Sequence, residues 1–298
     1  MAEYIIIAAA RDESQLIRYT LESVIAQRIR PVEFIIVNDG STDGTDVIIK
    51  AYAQKYTWIH CVDLPDRGLY KYGDGIIQAF YAGFERIESK NYKFIVKLDC
   101  DLSFDEYYFE NLLKEFSGNP NLGIASGQTY YLNKRGKLVW EDAPLDHTVG
   151  PSKVYRRECF EAINGPIISL GWDHIDEVTA RMKGWQTRSY PNLKLLHHRI
   201  MGSRLGILKG HMRHGHADYI TGYHPVYFFA KTIYRVFSRP LILGSAASFW
   251  GFFKSYATAT KRIVDRDVIQ FYRAEQLNKL KQLTFWKLYL IKYKFIKE

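Results

Sequence analysis

The sequence predicts an α/β fold: a Rossmann-like, mixed but mostly parallel sheet flanked by helices, followed by a helical extension rich in basic and aromatic residues. Three observations carry this. Short β-branched runs alternate with segments of helical periodicity through the first hundred residues, the pattern of a parallel sheet with crossover helices. Polar clusters follow those runs, and the carboxyl ends of strands are where such sheets bind ligands. Beyond about residue 205 the pattern becomes helical and strongly aromatic.

The elements follow in order. "EYIIIAAA" reads as a first strand, "SQLIRYTLESVIAQRI" as a helix with apolar groups at helical spacing, and "VEFIIVNDG" as a second strand. "TDVIIKAYAQKY" is helical, and the alternation continues through "WIHCVDL", "GIIQAFYAGFERI" and "YKFIVKLD". From about residue 120 strands are expected at "LGIASGQTYYL", "KLVW" and "TRSYPNLKLLHHR", with a helix through "IDEVTARMKGW". The expected organisation is a catalytic domain over 1–205, with halves 1–118 and 119–205, and an extension over 206–298.

Composition narrows the class. The chain has 298 residues, 47% of them apolar and 24% charged, which suits an ordered globular protein. "MAEYIIIAAARDES" turns polar after a few apolar residues, so no secretory leader is expected. Three scattered cysteines, Cys61, Cys100 and Cys159, suggest neither a disulfide framework nor a zinc spacing, and a reducing cytosol is expected. Residues 201 to 298 carry 17 Lys and Arg against 5 Asp and Glu, or +12, while residues 1 to 200 carry 24 against 27, or −3. All the excess positive charge therefore lies in the segment that also holds 19 of the 45 aromatic residues. Its expected partner is an anionic surface.

Candidate site residues sit at the strand ends. In "IIVNDGSTDGT" Ser41, Thr42 or Asp43 can cap the next helix, while Asp39 is a carboxylate able to accept from a nucleobase N–H or a ribose hydroxyl. In "AAARDES" small residues such as Ala10 let a flat ligand approach the backbone, and the absence of G-x-G-x-x-G argues against a nicotinamide dehydrogenase. "KLDCDLSF" places Asp99 and Asp101 where a buried strand ends. A D-x-D pair means little alone: with 17 aspartates in 298 residues about one is expected by chance, and Asp265/Asp267 is a second. That second pair follows no apolar strand and reads as a solvated charge cluster. Two carboxylates at a strand end repel unless a cation neutralises them, and hard oxygen ligands suit Mg2+ or Mn2+ bridging to a diphosphate.

"GWDHIDEVTARMKGW" packs Asp173, Asp176 and Glu177 at a helix start. There they either favour the helix dipole or supply a general base. "LHHR" ends another apolar run, and His197 or His198 is offered as a nitrogen ligand to the metal.

In this order the pieces resemble the inverting family 2 glycosyltransferases, which have the GT-A fold. The resemblance spans roughly residues 3 to 200 and rests on "VNDGSTDGT", a D-x-D about 60 residues later, and an acidic helix start before "R-x-x-G-W". It implies that Asp39 binds the base of a nucleotide-sugar with Arg11 and Glu13 near it. Asp99 and Asp101 would hold the ribose, the diphosphate and Mn2+ or Mg2+, and Asp176 would be the base among the three acids. The chain departs from the family at "GLYKYGDG", where Gly73 and Asp74 replace Arg-Asn, so that Arg67 or Lys71 becomes the expected phosphate contact beside Asp74.

The acceptor implied is a glycan or a polyprenyl-linked sugar at the inner face of the plasma membrane. Residues 240 to 257 are too short to cross a bilayer, which needs about 20 apolar residues, but with the tail "LKQLTFWKLYLIKYKFIK" they suit its interface. Packing on the catalytic domain or a homo-oligomer interface is the alternative. A sugar nucleotidyltransferase would need a glycine-rich loop where "AAARDES" stands, and a nucleic-acid-binding protein would leave the acidic strand ends unexplained. No nucleic acid is expected.

Overall fold

Four apolar runs build the parallel half of one sheet: β1 (Tyr4–Ala10), β2 (Glu33–Asp39), β3 (Ile59–Leu64) and β4 (Phe94–Asp99). In β1 and β2 nearly every residue is buried, as expected of strands covered on both faces. The computed structural model describes residues 3–66, 68, 73–133, 135–141, 145–199, 206–236 and 241–282. Arg67, Lys71 and most of the basic aromatic tail lie outside the described residues. The chain divides into two units, Met1–Met201 and Gly202–Glu298.

Between the strands of the first unit run α1 (Ile17–Ile25), α2 (Thr45–Lys55) and α3 (Asp74–Phe84). After β4 come β5 (Leu102–Phe104), α4 (Tyr108–Gly118), β6 (Leu122–Leu132), β7 (Leu138–Trp140), β8 (Ser152–Arg156), α5 (Arg157–Ile163), α6 (Trp172–Met182) and β9 (Gln186–His197). The sheet order is β3-β2-β1-β4-β8-β6-β9-β5, with β7 added on β6. β8 runs antiparallel to β4 and β6, and β5 antiparallel to β9; the β1, β2, β3, β4 set and the β6–β9 pair are parallel. The sheet is therefore mixed but mostly parallel.

Alternation along β1 divides the core. Tyr4, Ile6 and Ala8 pack with Leu21 and Val24 of α1 and Phe109 and Leu112 of α4. Ile5 and Ile7 face Phe80 of α3 and Phe160 of α5 on the other side. Register then fixes the functional edge: Ala9 pairs with Asp99 of β4, and Ala10 with Asn38, one residue before Asp39. Three strands thus end together. β5, α4, β8 and α5 go beyond the sequence-predicted elements, and α6 begins three residues before the predicted "IDEVTARMKGW". The early start follows from Gly171, whose φ of 83° turns the chain into the helix in a conformation that costs other residues more.

The second unit contains α7 (Ile207–Ile220), α8 (Pro225–Arg235), α9 (Leu241–Ala257) and α10 (Arg266–Gln282). α7 and α9 touch backbone to backbone: a Cβ on Gly215 would lie 1.8 Å from the Ser248 carbonyl oxygen, and one on Gly251 2.0 Å from that of Met212. Phe228 stacks on Phe252 at 4.0 Å between centroids to close the interior. Outside, Val226, Phe229 and Ile233 of α8 and Ile242, Leu243, Phe249, Trp250, Phe253 and Tyr256 of α9 are exposed. None of the described helices is long and apolar enough to cross a membrane. Asp265 and Asp267, the chance D-x-D, are exposed at the start of α10.

Candidate active site

Two loops zip together above the sheet. After β1, Asp12 takes a positive φ of 52°, and its carboxylate accepts from the Thr42 amide at 2.9 Å. The Glu13 and Ser14 amides donate to Thr45 Oγ1 at 2.8 Å and Asp43 Oδ2 at 3.0 Å. Arg11 donates to the Asp39 carbonyl at 2.9 Å and to Asp66 Oδ1 at 2.6 Å. Asp43 and Thr45 therefore tie the β1 loop to the β2 loop, leaving Asp39 at the floor of a cavity shared with Ala10, Arg11, Glu13, Asp99 and Asp101. As it stands the cavity measures about 70 Å³ and opens to solvent. Gly75 and Ile76 bring the start of α3 to its wall, while Asp74, the first residue of that helix, is not among the lining residues.

The two strand-end aspartates have cationic neighbours that the sequence reading passed over. Lys97, buried on β4, donates to Asp99 Oδ1 and at 3.0 Å to the Gly150 carbonyl. Asp101 Oδ2 lies 3.3 Å from His197 Nε2 and 3.9 Å from Arg199, which itself grips Glu13 through two bonds of 2.7 and 2.6 Å. His197 Nδ1 lies 3.4 Å from Glu141. Burial alone would lower the His197 pKa, but hydrogen bonds to Asp101 and Glu141 push it up to about 10. His197 is thus a cation between two carboxylates. Of the two histidines offered as metal ligands, His197 has both ring nitrogens facing carboxylates, while His198 bonds Ser103 at 2.9 Å and stacks on Tyr19. Asp101 Oδ1, in contrast, is buried without a hydrogen-bond partner among the described residues. A buried carboxylate oxygen in that state calls for a ligand.

The acidic helix start is sorted by depth. Asp176, expected as the base, has a fully buried side chain (0% exposed). Lys153 of β8 holds it at 2.8 and 3.0 Å, and Tyr155 donates to it at 2.5 Å. The side chain that the resemblance implies as the base is thus held inside the structure and paired on both sides. Glu177 is equally committed: it accepts from the Thr148 amide at 2.6 Å and from the Thr148 hydroxyl, lies 3.1 Å from His147, and is 3.2 Å from Lys153. Against the burial that would raise it, His147 and Lys153 hold the Glu177 carboxyl well below its ordinary range. Only Asp173 reaches solvent among the three acids, with 31% of its side chain exposed. Burial raises its pKa, but the imidazoles of His174 and His147 and the Lys153 ammonium outweigh this and keep it ionised. Lys153 also accepts the role of anchor by donating to the Asp173 carbonyl. The Trp172 ring lies 5.2 Å from Lys97 and 5.3 Å from Lys153, joining the D-x-D strand to the acidic helix.

Residues 5–169 match the model of the family described as "Glycosyl transferase family 2". The chain belongs to that family. Over 130 residues this family 2 glycosyltransferase is 30% identical to poly-beta-1,6-N-acetyl-D-glucosamine synthase of Staphylococcus epidermidis, covering 44% of this chain and 29% of that protein. It is 32% identical over 131 residues to 4,4'-diaponeurosporenoate glycosyltransferase of Staphylococcus aureus, covering 44% and 32%. The matched part is therefore about a third of each relative's length. Among solved structures it is similar to the mannosyltransferase PcManGT from Pyrobaculum calidifontis in complex with GDP-Man and Mn2+, at TM-score 0.54 and 17% identity, with 93% and 80% of the two chains covered. GalNAc-T7 with UDP, GalNAc and Mn2+ aligns at TM-score 0.62 and 13% identity, covering 95% and 58%. The fold of this glycosyltransferase is thus GT-A, as the motifs implied.

Proposed function

We propose that the chain is an inverting, metal-dependent hexosyltransferase that moves a sugar from a nucleotide-sugar to a glycan or polyprenyl-linked acceptor. One observation carries the reading: Asp101 Oδ1 stands buried and unbonded in the cavity that Asp39 and Asp99 also line. The donor set fits a hard divalent ion, Mn2+ or Mg2+, with Asp101 as the principal ligand and Asp99 beside it. When bound, such an ion offsets the charge that builds on the departing nucleoside diphosphate. The Mn2+ in the two solved neighbours described above supports this.

The chain's own residues supply the rest. Asp39 accepts from the nucleobase or ribose, and Ala9 and Ala10 leave room for the flat base against the β1 edge. Asp173 takes the proton of the acceptor hydroxyl as that oxygen bonds to the anomeric carbon and the bond to the diphosphate breaks on the opposite face. Lys153, buried beneath, fixes the backbone that carries Asp173. One relative is named for a polysaccharide and the other for 4,4'-diaponeurosporenoate, which supports an acceptor of either extended-glycan or lipid character.

A thermal-shift panel of UDP-, GDP- and dTDP-sugars with Mn2+ identifies the donor, because a ligand held only by the folded state raises Tm. Asp101→Ala is expected to lose metal-dependent nucleotide-sugar hydrolysis or transfer by about 100-fold or more, the scale of removing one electrostatic stabiliser. Unchanged metal-dependent activity in that variant rules out the metal role.

The exposed stripe on α8 and α9, in a segment of charge +12, is read as the face that rests on an anionic membrane surface, peripherally at the inner leaflet. Replacing Phe249, Trp250 and Phe253 by Ser should weaken co-sedimentation with phosphatidylglycerol vesicles at least about tenfold, since each buried aromatic contributes roughly 1.5–3 kcal/mol. Equal pelleting by the triple variant, or a stripe covered instead in a concentration-dependent homo-oligomer, would overturn this.

A further inference from the structure

Away from the strand-end aspartates, His147, Asp173 and His174 each present a ligand atom within 4.8 Å of the others. The two imidazoles lie parallel, with centroids 4.4 Å apart and planes inclined by 22°. His174 Nδ1 and Asp173 Oδ1 are 3.4 Å apart. That is long for an N–H···O bond, which prefers about 2.7–3.2 Å. It matches the roughly 3.4 Å between two ligands held about 2.1 Å from one tetrahedral ion. His147 is prepared in a second way: its Nδ1 lies 3.1 Å from Glu177 Oε2, which leaves Nε2 as the nitrogen available to a ligand. Metal-binding histidines are characteristically oriented by such a carboxylate on the other ring nitrogen. Glu177 is in turn fixed by Thr148 and Lys153. All three candidate ligands remain partly open to solvent, so a fourth position is available.

We propose that His147, Asp173 and His174 form a second cation site, selective for a borderline ion of the Zn2+ class, and that its occupation silences transfer. Two imidazoles and one carboxylate favour such an ion, whereas the all-oxygen set at Asp99 and Asp101 favours Mg2+ or Mn2+. Binding here depends only on the three side chains. Its effect on transfer rests on the reading of Asp173 as base, because a metal-bound carboxylate can no longer accept the acceptor's proton.

The test uses the full chain freed of metal by chelation and titrated with Zn2+ against a chromophoric chelator, with Co2+ absorbance as a second probe. Asp101→Ala, which removes the strand-end site, is expected to bind one equivalent of Zn2+, and the parent at least that much. His174→Ala, whose side chain is 40% exposed and outside the core, should keep its Tm and bind at least about tenfold more weakly; His147→Ala should bind at least as weakly. Unaltered Zn2+ affinity in both histidine variants, or loss of it in Asp101→Ala, overturns the site. In transfer assays each variant is compared with its own zinc-free rate: the Zn2+ midpoint should rise at least about tenfold in His174→Ala. An equal midpoint there, with Zn2+ binding weakened, overturns the silencing. Because metal binding is read without turnover, its failure is distinguishable from failure of the glycosyltransferase mechanism.

Discussion

Asp173→Asn should lower the rate of sugar transfer by about 10²–10⁴-fold, the usual contribution of a positioned general base, while donor binding and Tm stay near those of the parent. The side chain is partly exposed, and Lys153 keeps Asp176 and Glu177 as partners when the Asp173 charge is removed. Asp176→Asn should behave in the opposite way: it disturbs the pairing with Lys153 and Tyr155, so Tm falls, and any loss of rate follows the loss of folded protein. Single-turnover rates and melting curves on the two variants separate these outcomes. A parental rate in Asp173→Asn, or a rate collapse at unchanged Tm in Asp176→Asn, would return the base to Asp176.

Lys153→Met is expected to be the most destabilising single change in the catalytic unit. Its side chain is fully buried with Asp176 and within 3.2 Å of Glu177, so removing the ammonium leaves two carboxylates in the interior with too little compensation. Breaking a buried pair from one side costs about 3–5 kcal/mol. At about 2–4 °C per kcal/mol for a domain of this size, Tm should fall on the order of 10 °C. Lys153→Met combined with Asp176→Leu should recover much of that loss, because the two positions share one interaction and do not add. A single variant that melts with the parent would mean that the network is not holding α6 on β8.

Legibility in the sequence followed burial by apolar residues. Asp39, Asp99 and the Ala10 edge were readable because each ends a continuous apolar strand, and a parallel strand of that kind has one place to bring a ligand. β8 was not readable in those terms: "SKVYR" carries a lysine and an arginine, and nothing in the string says that Lys153 finds two carboxylates in the interior. The depth of each acid of α6 was not legible, for a geometric reason. Asp173 and Asp176 are three residues apart, about 300° around a helix, and which of them faces inward depends on where the helix begins. That start is set by Gly171, four residues before the first strong helical pattern. Likewise, the D-x-D pair announced a need for positive charge, but not that Lys97, His197 and Arg199 would meet part of it.

The close contact of α7 and α9 separates the seam from the rings. Gly215 and Gly251 let two backbones meet, Phe228 and Phe252 fill the interior beside them, and Phe249, Trp250 and Phe253 are left on the periphery. Small residues at a helix seam are the habit of helices packed in lipid, where apolar surface gains nothing by hiding from its surroundings. The unit's cohesion is thereby uncoupled from its exposed rings, so replacing Phe249, Trp250 and Phe253 leaves the seam that holds the helices together as it is.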